Sequence, residues 1–252
     1  MDLDLKGKNV LVTGSSKGIG YAIASQLYEE GCNVTINGRN QKSLETSILP
    51  FNERMNYCMA DVTNQNDCER LIKNTIDHWG SIDLLVCNVG NGNSVKPGNE
   101  NFEEWQKVFF NNFFSTTNVI ESITKNTLNS LKSIVCISSI AGVECTGAPV
   151  TYSVAKSAIN SYVKNISKYL AKSGTRINAV APGNIIFDDS IWKKKISENS
   201  NDVEDMLKRE VAMGRFGTPE EISNLVVFLC SEKSSFITGS TFIVDGGQTK
   251  RV

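Results

Sequence analysis

Residues 8–30 open with Lys8-Asn-Val-Leu-Val-Thr13-Gly14-Ser-Ser-Lys17-Gly18-Ile19-Gly20 and continue as an apolar-periodic run to Glu30. The run 8–13 is short and rich in β-branched residues, as suits a strand buried on both faces. The stretch 19–30 repeats its apolar residues near a 3.6 period and predicts a helix. Three glycines, Gly14, Gly18 and Gly20, mark the joint. Glycine lets the backbone turn tightly and come close to a pyrophosphate, while a helix N-terminus offers free N–H groups and positive potential. The spacing is G-x-x-x-G-x-G rather than G-x-G-x-x-G. A simple tight turn is the alternative, but strand, glycine turn and helix in this order predict a dinucleotide site.

Outward from this unit the pattern repeats. Strand-like runs occupy 33–37, 56–60, 82–87, 133–138, 176–180 and 241–244, and helical patterns occupy 41–49, 65–78, 103–128, 152–172 and 219–231. Thr218-Pro219-Glu220-Glu221 is a helix start, with a capping residue, a first-turn proline and acids at the positive dipole end. Such alternation predicts a doubly wound α/β fold with a parallel sheet and right-handed crossovers. No linker or repeat divides residues 1–252, so a single domain is expected. Residues 187–213 break the rhythm: polar, with Asp188-Asp189 and Trp192, they read as an irregular lid.

Composition narrows the function classes. The net charge of −1, with cations spread along the chain, gives no electrostatic case for nucleic acid or an anionic membrane. Lys193-Lys194-Lys195 is the one basic run and reads as a solvated face. No apolar stretch approaches the ~20 residues of a membrane span, and no secretion signal is visible. Seven cysteines without C-x-x-C spacing argue against disulfides or zinc and fit a reducing cytoplasm. Cys87 and Cys136 read as small buried hydrophobes. The single histidine, His78, precedes Trp79-Gly80 at a predicted helix end, so a multi-histidine metal centre is excluded and no metal is expected.

Of six tyrosines, only Tyr152 has a lysine four residues on, Lys156. On a helix this spacing puts both on one face. A nearby ammonium is expected to pull the phenol's pKa down from about 10 toward the useful range. A solvated surface pair is the alternative. Ser138-Ser139 lies just upstream. The second strand ends in Asn37-Gly38-Arg39-Asn40, with no acid to hold ribose hydroxyls. Arg39, assisted by Lys17, suits a 2′-phosphate instead, so NADP(H) is favoured over NAD(H).

These motifs, together with Cys87-Asn88-Val89-Gly90, Pro182-Gly183 and Val244-Asp-Gly-Gly247, resemble a short-chain dehydrogenase/reductase over essentially the whole chain. The resemblance is to the branch of about 250 residues with 3-oxoacyl-[acyl-carrier-protein] reductases and sugar, polyol and cyclic-alcohol dehydrogenases. It implies a Rossmann fold with a seven-stranded sheet of order 3-2-1-4-5-6-7 and hydride transfer between a ketone and a secondary alcohol. Tyr152 is then the proton donor and acceptor, Lys156 its partner, Ser139 the donor to the substrate oxygen, and Asn112, rather than Asn111, the support of a water relay. For the cofactor it implies Gly14, Ser16, Lys17, Gly18, Ile19, Gly20 and Arg39, then Asp61, Val62, Asn88, Gly90, Pro182, Gly183 and Ile185, with Tyr152 and Lys156 at the nicotinamide ribose. The clearest departure is Phe187, where the family commonly has threonine. Pocket walls are expected at 91–101, 141–150 and 187–213. A homotetramer is implied, and an acyl-carrier-linked substrate with Lys125, Lys132, Lys168 and Lys172 as a docking patch is one option. A non-catalytic dinucleotide-binding regulator is the alternative class.

Overall fold

The computed structural model describes residues 2–127 and 130–250. Seven parallel strands form one sheet of order β3-β2-β1-β4-β5-β6-β7: β1 (Asn9–Val12), β2 (Asn33–Gly38), β3 (Met55–Met59), β4 (Leu84–Cys87), β5 (Ser133–Ile137), β6 (Arg176–Pro182) and β7 (Thr241–Val244). This is the expected order, and the order reverses between β1 and β4, where open α/β sheets form their ligand crevice.

The period-2 geometry of a strand explains why these runs are apolar throughout. Val10 and Val12, Leu84 and Val86, and Val135 and Ile137 enter one core with Ile23, Leu27, Val226 and Val227. Their neighbours Leu11, Leu85 and Ile134 enter the opposite core with Leu71, Ile120, Ile159 and Val163. The edge strands β3 and β7 depart from burial on both faces: Met59 and Ile243 are exposed.

The helices packed on the sheet include α1 (Gly18–Glu29), α2 (Gln41–Ile48), α3 (Gln65–Trp79), α6 (Val150–Ala171) and α9 (Pro219–Cys230), and three of these, α2, α3 and α9, start at side-chain caps. Asn40 and Asn64 accept N–H groups of the first turns of α2 and α3. Gly80, at φ +84°, closes α3 in a left-handed conformation, leaving His78 exposed on its last turn against Trp79. Thr218 and Glu221 form a capping box at α9.

Two expectations are corrected. The helix expected over 103–128 is α4 (Phe102–Phe109), a π-helical turn (Phe110–Phe114) and α5 (Ser115–Thr127); its expected end, Leu128, lies outside the described residues. Residues 187–213 are not irregular: they hold α7 (Ile191–Glu198) and α8 (Ser200–Glu210), capped by Ser190 and Asn199. Val203, Leu207 and Val211 form a small core of their own there, with Ile196, Met206 and Phe216 packed against it. No helix among the described residues is long and apolar enough to cross a membrane.

Candidate active site

The glycine turn is pinned from three strands. The Thr13 hydroxyl accepts Asn88 N at 3.1 Å, and Asn88 Nδ2 donates to Gly14 O at 2.8 Å, which joins the turn to the end of β4. Asn37, fully buried at the end of β2, donates through Nδ2 to Cys58 O and Ala60 O at 3.1 Å. Its Oδ1 accepts Gly14 N at 3.4 Å, and Ser15 Oγ donates to Val12 O at 2.6 Å. Asn37 is not legible as an anchor in the sequence, because its work depends on which strand ends lie beside it.

Gly14 and Gly18 have φ of +60° and +59°, so side chains are disfavoured there. α1 has no side-chain cap at Lys17, and the first helical N–H to find a carbonyl is that of Tyr21, on Lys17 O. The N–H groups of Gly18, Ile19 and Gly20 are thus left facing the crevice at the positive end of the helix dipole, a fit for a dinucleotide pyrophosphate.

Two cavities meet at this turn. One, of about 550 Å³, is lined by Gly14, Lys17, Ile19, Asn88, Gly90, Ser139, Tyr152, Lys156, Pro182, Gly183, Ile185 and Phe187. The other, of about 270 Å³, is lined by Ser16, Lys17, Arg39, Asp61, Val62, Asn88 and Gly90. Together they bring most of the candidate cofactor residues to one groove; Gly18 and Gly20 line neither cavity, Gly18 lying under the Phe187 ring and Gly20 against Asn88 and Gly14. Arg39 is not free in it: its guanidinium stands 3.7 Å from Asp61.

At the inner end, Ser139 caps a short 3-10 turn (Ile140–Gly142), its Oγ accepting Ala141 N at 3.2 Å. Ser138 also lines the cavity, but its hydroxyl is engaged, donating to Lys156 O at 3.2 Å. Tyr152 and Lys156 lie one turn apart on α6. The Lys156 ammonium, almost fully buried, donates to Ile137 O at 2.9 Å and stands 5.8 Å from the centre of the Tyr152 ring. Asn112, inside the π turn, is buried and accepts Asn91 N at 2.9 Å. Gly90 separates the two: a Cβ there would stand 2.8 Å from Asn112 Oδ1 and 2.9 Å from Lys156 Nζ. Asn111 instead lines the outer cavity, its side chain donating to Lys107 O.

The electrostatics differ from expectation. Burial pushes the Tyr152 phenol up, and the influence that lowers it is the Ser139 hydroxyl, not the lysine. Burial also lowers the Lys156 ammonium to about 8. The expected downward pull of the lysine on the phenol is therefore corrected.

The cavity walls match expectation at Asn91 and Asn93 and at Ile191 and Trp192, whereas residues 141–150 do not line it. Lys194 reaches its rim, so the basic run is not wholly a solvated face. Lys195 lies over the Trp192 ring at 4.5 Å, and Trp192 leans on Phe216. All seven cysteines are free and six are buried, including Cys87 and Cys136.

A family profile described as Enoyl-(Acyl carrier protein) reductase matches residues 14–249. The chain is 31% identical to glucose 1-dehydrogenase 2 of Bacillus subtilis, over 98% of this chain and 96% of that one. It is 32% identical to the 3-oxoacyl-[acyl-carrier-protein] reductase FabG of Rickettsia bellii, over 97% and 98%. In fold it is similar to an NADPH-bound short-chain oxidoreductase from Pseudomonas aeruginosa PAO1 that contains an atypical catalytic center, at 24% identity and a TM-score of 0.90 over 98% and 100% of the two chains. Sheet order, glycine turn and full-length likeness agree: the chain belongs to the short-chain dehydrogenase/reductase family.

Proposed function

We propose that this oxidoreductase is an NADP(H)-preferring ketone reductase whose proton donor is Tyr152. The observation that carries the reading is the meeting of Ser139, Tyr152 and Lys156 in one cavity with the glycine turn. When bound, a nicotinamide dinucleotide supplies the hydride to the carbonyl carbon. Tyr152 gives its phenolic proton to the carbonyl oxygen, and Ser139 donates a hydrogen bond to the charge that develops there. Lys156, held on Ile137 O one turn from the phenol, binds the ribose of the nicotinamide, and Asn112 keeps the wall at Asn91 in place. In the oxidative direction each proton moves the other way.

The NADP(H) preference rests on Lys17 and Arg39 beside the outer cavity, where the end of β2 offers no acid. For the substrate, the FabG likeness and the apolar Ile191 and Trp192 favour a 3-oxoacyl group, with an acyl carrier as its bearer. The glucose dehydrogenase likeness and the polar Asn91 and Asn93 favour a second reading, a sugar or polyol. Exposed apolar side chains on α4 and α6 support a homotetramer, and the buried free thiols fit a reducing cytoplasm. NADPH and NADH oxidation with 3-oxoacyl thioesters, cyclic ketones and keto-sugars tests the set. Turnover of one class is expected, with Tyr152→Phe about 100-fold slower or worse. Turnover of no ketone, or an unchanged rate in Tyr152→Phe, would refute the enzyme reading.

A further inference from the structure

The lid touches the glycine turn through two neighbouring residues. The Phe187 ring covers Gly18, with ring atoms 2.8–3.1 Å from where a Cβ on that glycine would stand. Asp189 Oδ2 accepts from Lys17 Nζ at 3.1 Å. The backbone holds this arrangement at a cost. Asp189 has φ +62°, one of two non-glycine residues with positive φ among those described. A turn fixes it there: Ser190 N donates to Phe187 O at 3.1 Å, and the buried Ser190 hydroxyl accepts Phe187 N and Lys193 N at 3.3 Å. The turn leads directly into α7, so the place of α7 and the place of the Asp189 carboxylate are linked.

Lys17 is the residue that gives this contact a use. It lines both the inner cavity, where Asp189 is, and the outer cavity, where Arg39 and Asp61 are. Its ammonium is therefore shared between two places that want a cation: the lid carboxylate on one side and, on the other, the region proposed for a 2′-phosphate. One ammonium cannot serve both at full strength.

We propose that the Lys17–Asp189 pair is a latch between lid and glycine turn that responds to the 2′-phosphate. Without cofactor, Lys17 holds the lid down through Asp189. With the 2′-phosphorylated cofactor bound, Lys17 turns to the phosphate and Asp189 is left unpaired, freeing the segment that leads into α7. With the unphosphorylated cofactor the pair stays closed. Asp189 thereby tunes cofactor selectivity from the lid, against NADP(H). The proposal rests on the reading of Lys17 as a 2′-phosphate contact.

Two measurements on Asp189→Asn, Lys17→Gln and the double variant test it; both residues are exposed, and melting curves check that each variant is folded. The first is amide hydrogen exchange of residues 187–198 in the cofactor-free protein. Each single variant should speed exchange by about two- to five-fold, the scale of an exposed pair, and the double variant by no more than either. The second is the dissociation constant of each cofactor by protein fluorescence. Asp189→Asn should tighten NADPH by about two- to five-fold, leave NADH unchanged, and have no effect on either once Lys17 is Gln. Equal tightening of both cofactors would mean general repulsion of the pyrophosphate and would overturn the latch, as would unchanged exchange in both single variants. The wild-type ratio of the two affinities tests the NADP(H) preference separately. The change in that ratio in Asp189→Asn tests the latch.

Discussion

Lys156 is a charged group the fold accommodates at a cost. Its ammonium has one acceptor among the described residues, Ile137 O, and burial lowers it from 10.5 to about 8. The folded chain binds this proton less well than the unfolded chain. The penalty is therefore complete below about pH 8 and disappears as pH rises toward 10.5. At pH 7 it is roughly 3 kcal/mol, against about 1 kcal/mol for the lost hydrogen bond. Lys156→Met should raise the melting temperature by a few degrees at pH 7, with the gap closing by pH 10, while turnover falls about 100-fold or more. A variant that melts lower at pH 7 would refute burial as the dominant influence. Gly90→Ala tests the other side of the lysine. Its Cβ would push on both Lys156 Nζ and Asn112 Oδ1, and a loss of about 10- to 100-fold in kcat with a small change in melting temperature is expected. That Tyr152 and Lys156 share a helix was legible because their spacing is local, whereas Ser139, which lines the same cavity, was singled out only by the family likeness. The protonation of the pair was not legible, since it depends on how deeply α6 packs against β5 and β6.

Among the elements, α9 shows how a buried cation can be structural. Arg176, at the start of β6, is 8% exposed. Its guanidinium donates to Leu229 O, Ser231 O and the Ser234 hydroxyl at 2.9–3.0 Å, satisfying carbonyls at the negative end of α9. Lysine keeps the charge but not the planar fork, so Arg176→Lys should cost roughly 2–3 kcal/mol, about 5–10 °C in melting temperature, with KM unchanged. A melting temperature within about 1 °C of wild type would remove the clamp. In sequence, Arg176 is only a cation before an apolar run, and the partners that bury it lie more than fifty residues away. The same limit applies to the π turn. One extra residue per turn leaves the apolar pattern of 103–128 nearly intact, so a continuous helix was the natural reading. The turn matters because Asn112 lies inside it, buried toward Gly90 while Asn111 faces the outer cavity. Helices α7 and α8 were hidden for another reason: their apolar residues are few and serve a small separate core rather than the sheet.

At the scale of the whole molecule, the parallel α/β class followed from the alternation of elements, because buried parallel strands leave continuous apolar runs, whereas the sheet order followed from the family likeness alone. What a single chain does not use is its outer helical face. Phe102 on α4, Phe110 and Phe114 in the π turn, and Val150 and Val154 on α6 are all exposed, and the rings of Phe110 and Phe114 lie 5.2 Å apart. Val150 and Val154 flank Tyr152 by two residues on either side, so one helix presents the Tyr152 phenol inward and apolar side chains outward. A partner copy on this face would cover apolar surface and stiffen the helix that holds Tyr152 and Lys156. Phe110→Glu with Val154→Glu places two carboxylates at that contact. The expected result by sedimentation is a species of half the wild-type mass or less, with far-UV circular dichroism unchanged and turnover reduced about ten-fold because α6 is less well held. An unchanged mass would take this face out of the assembly. Halved mass with full turnover would separate assembly from catalysis and leave the packing of α6 on the sheet as the whole support of the site.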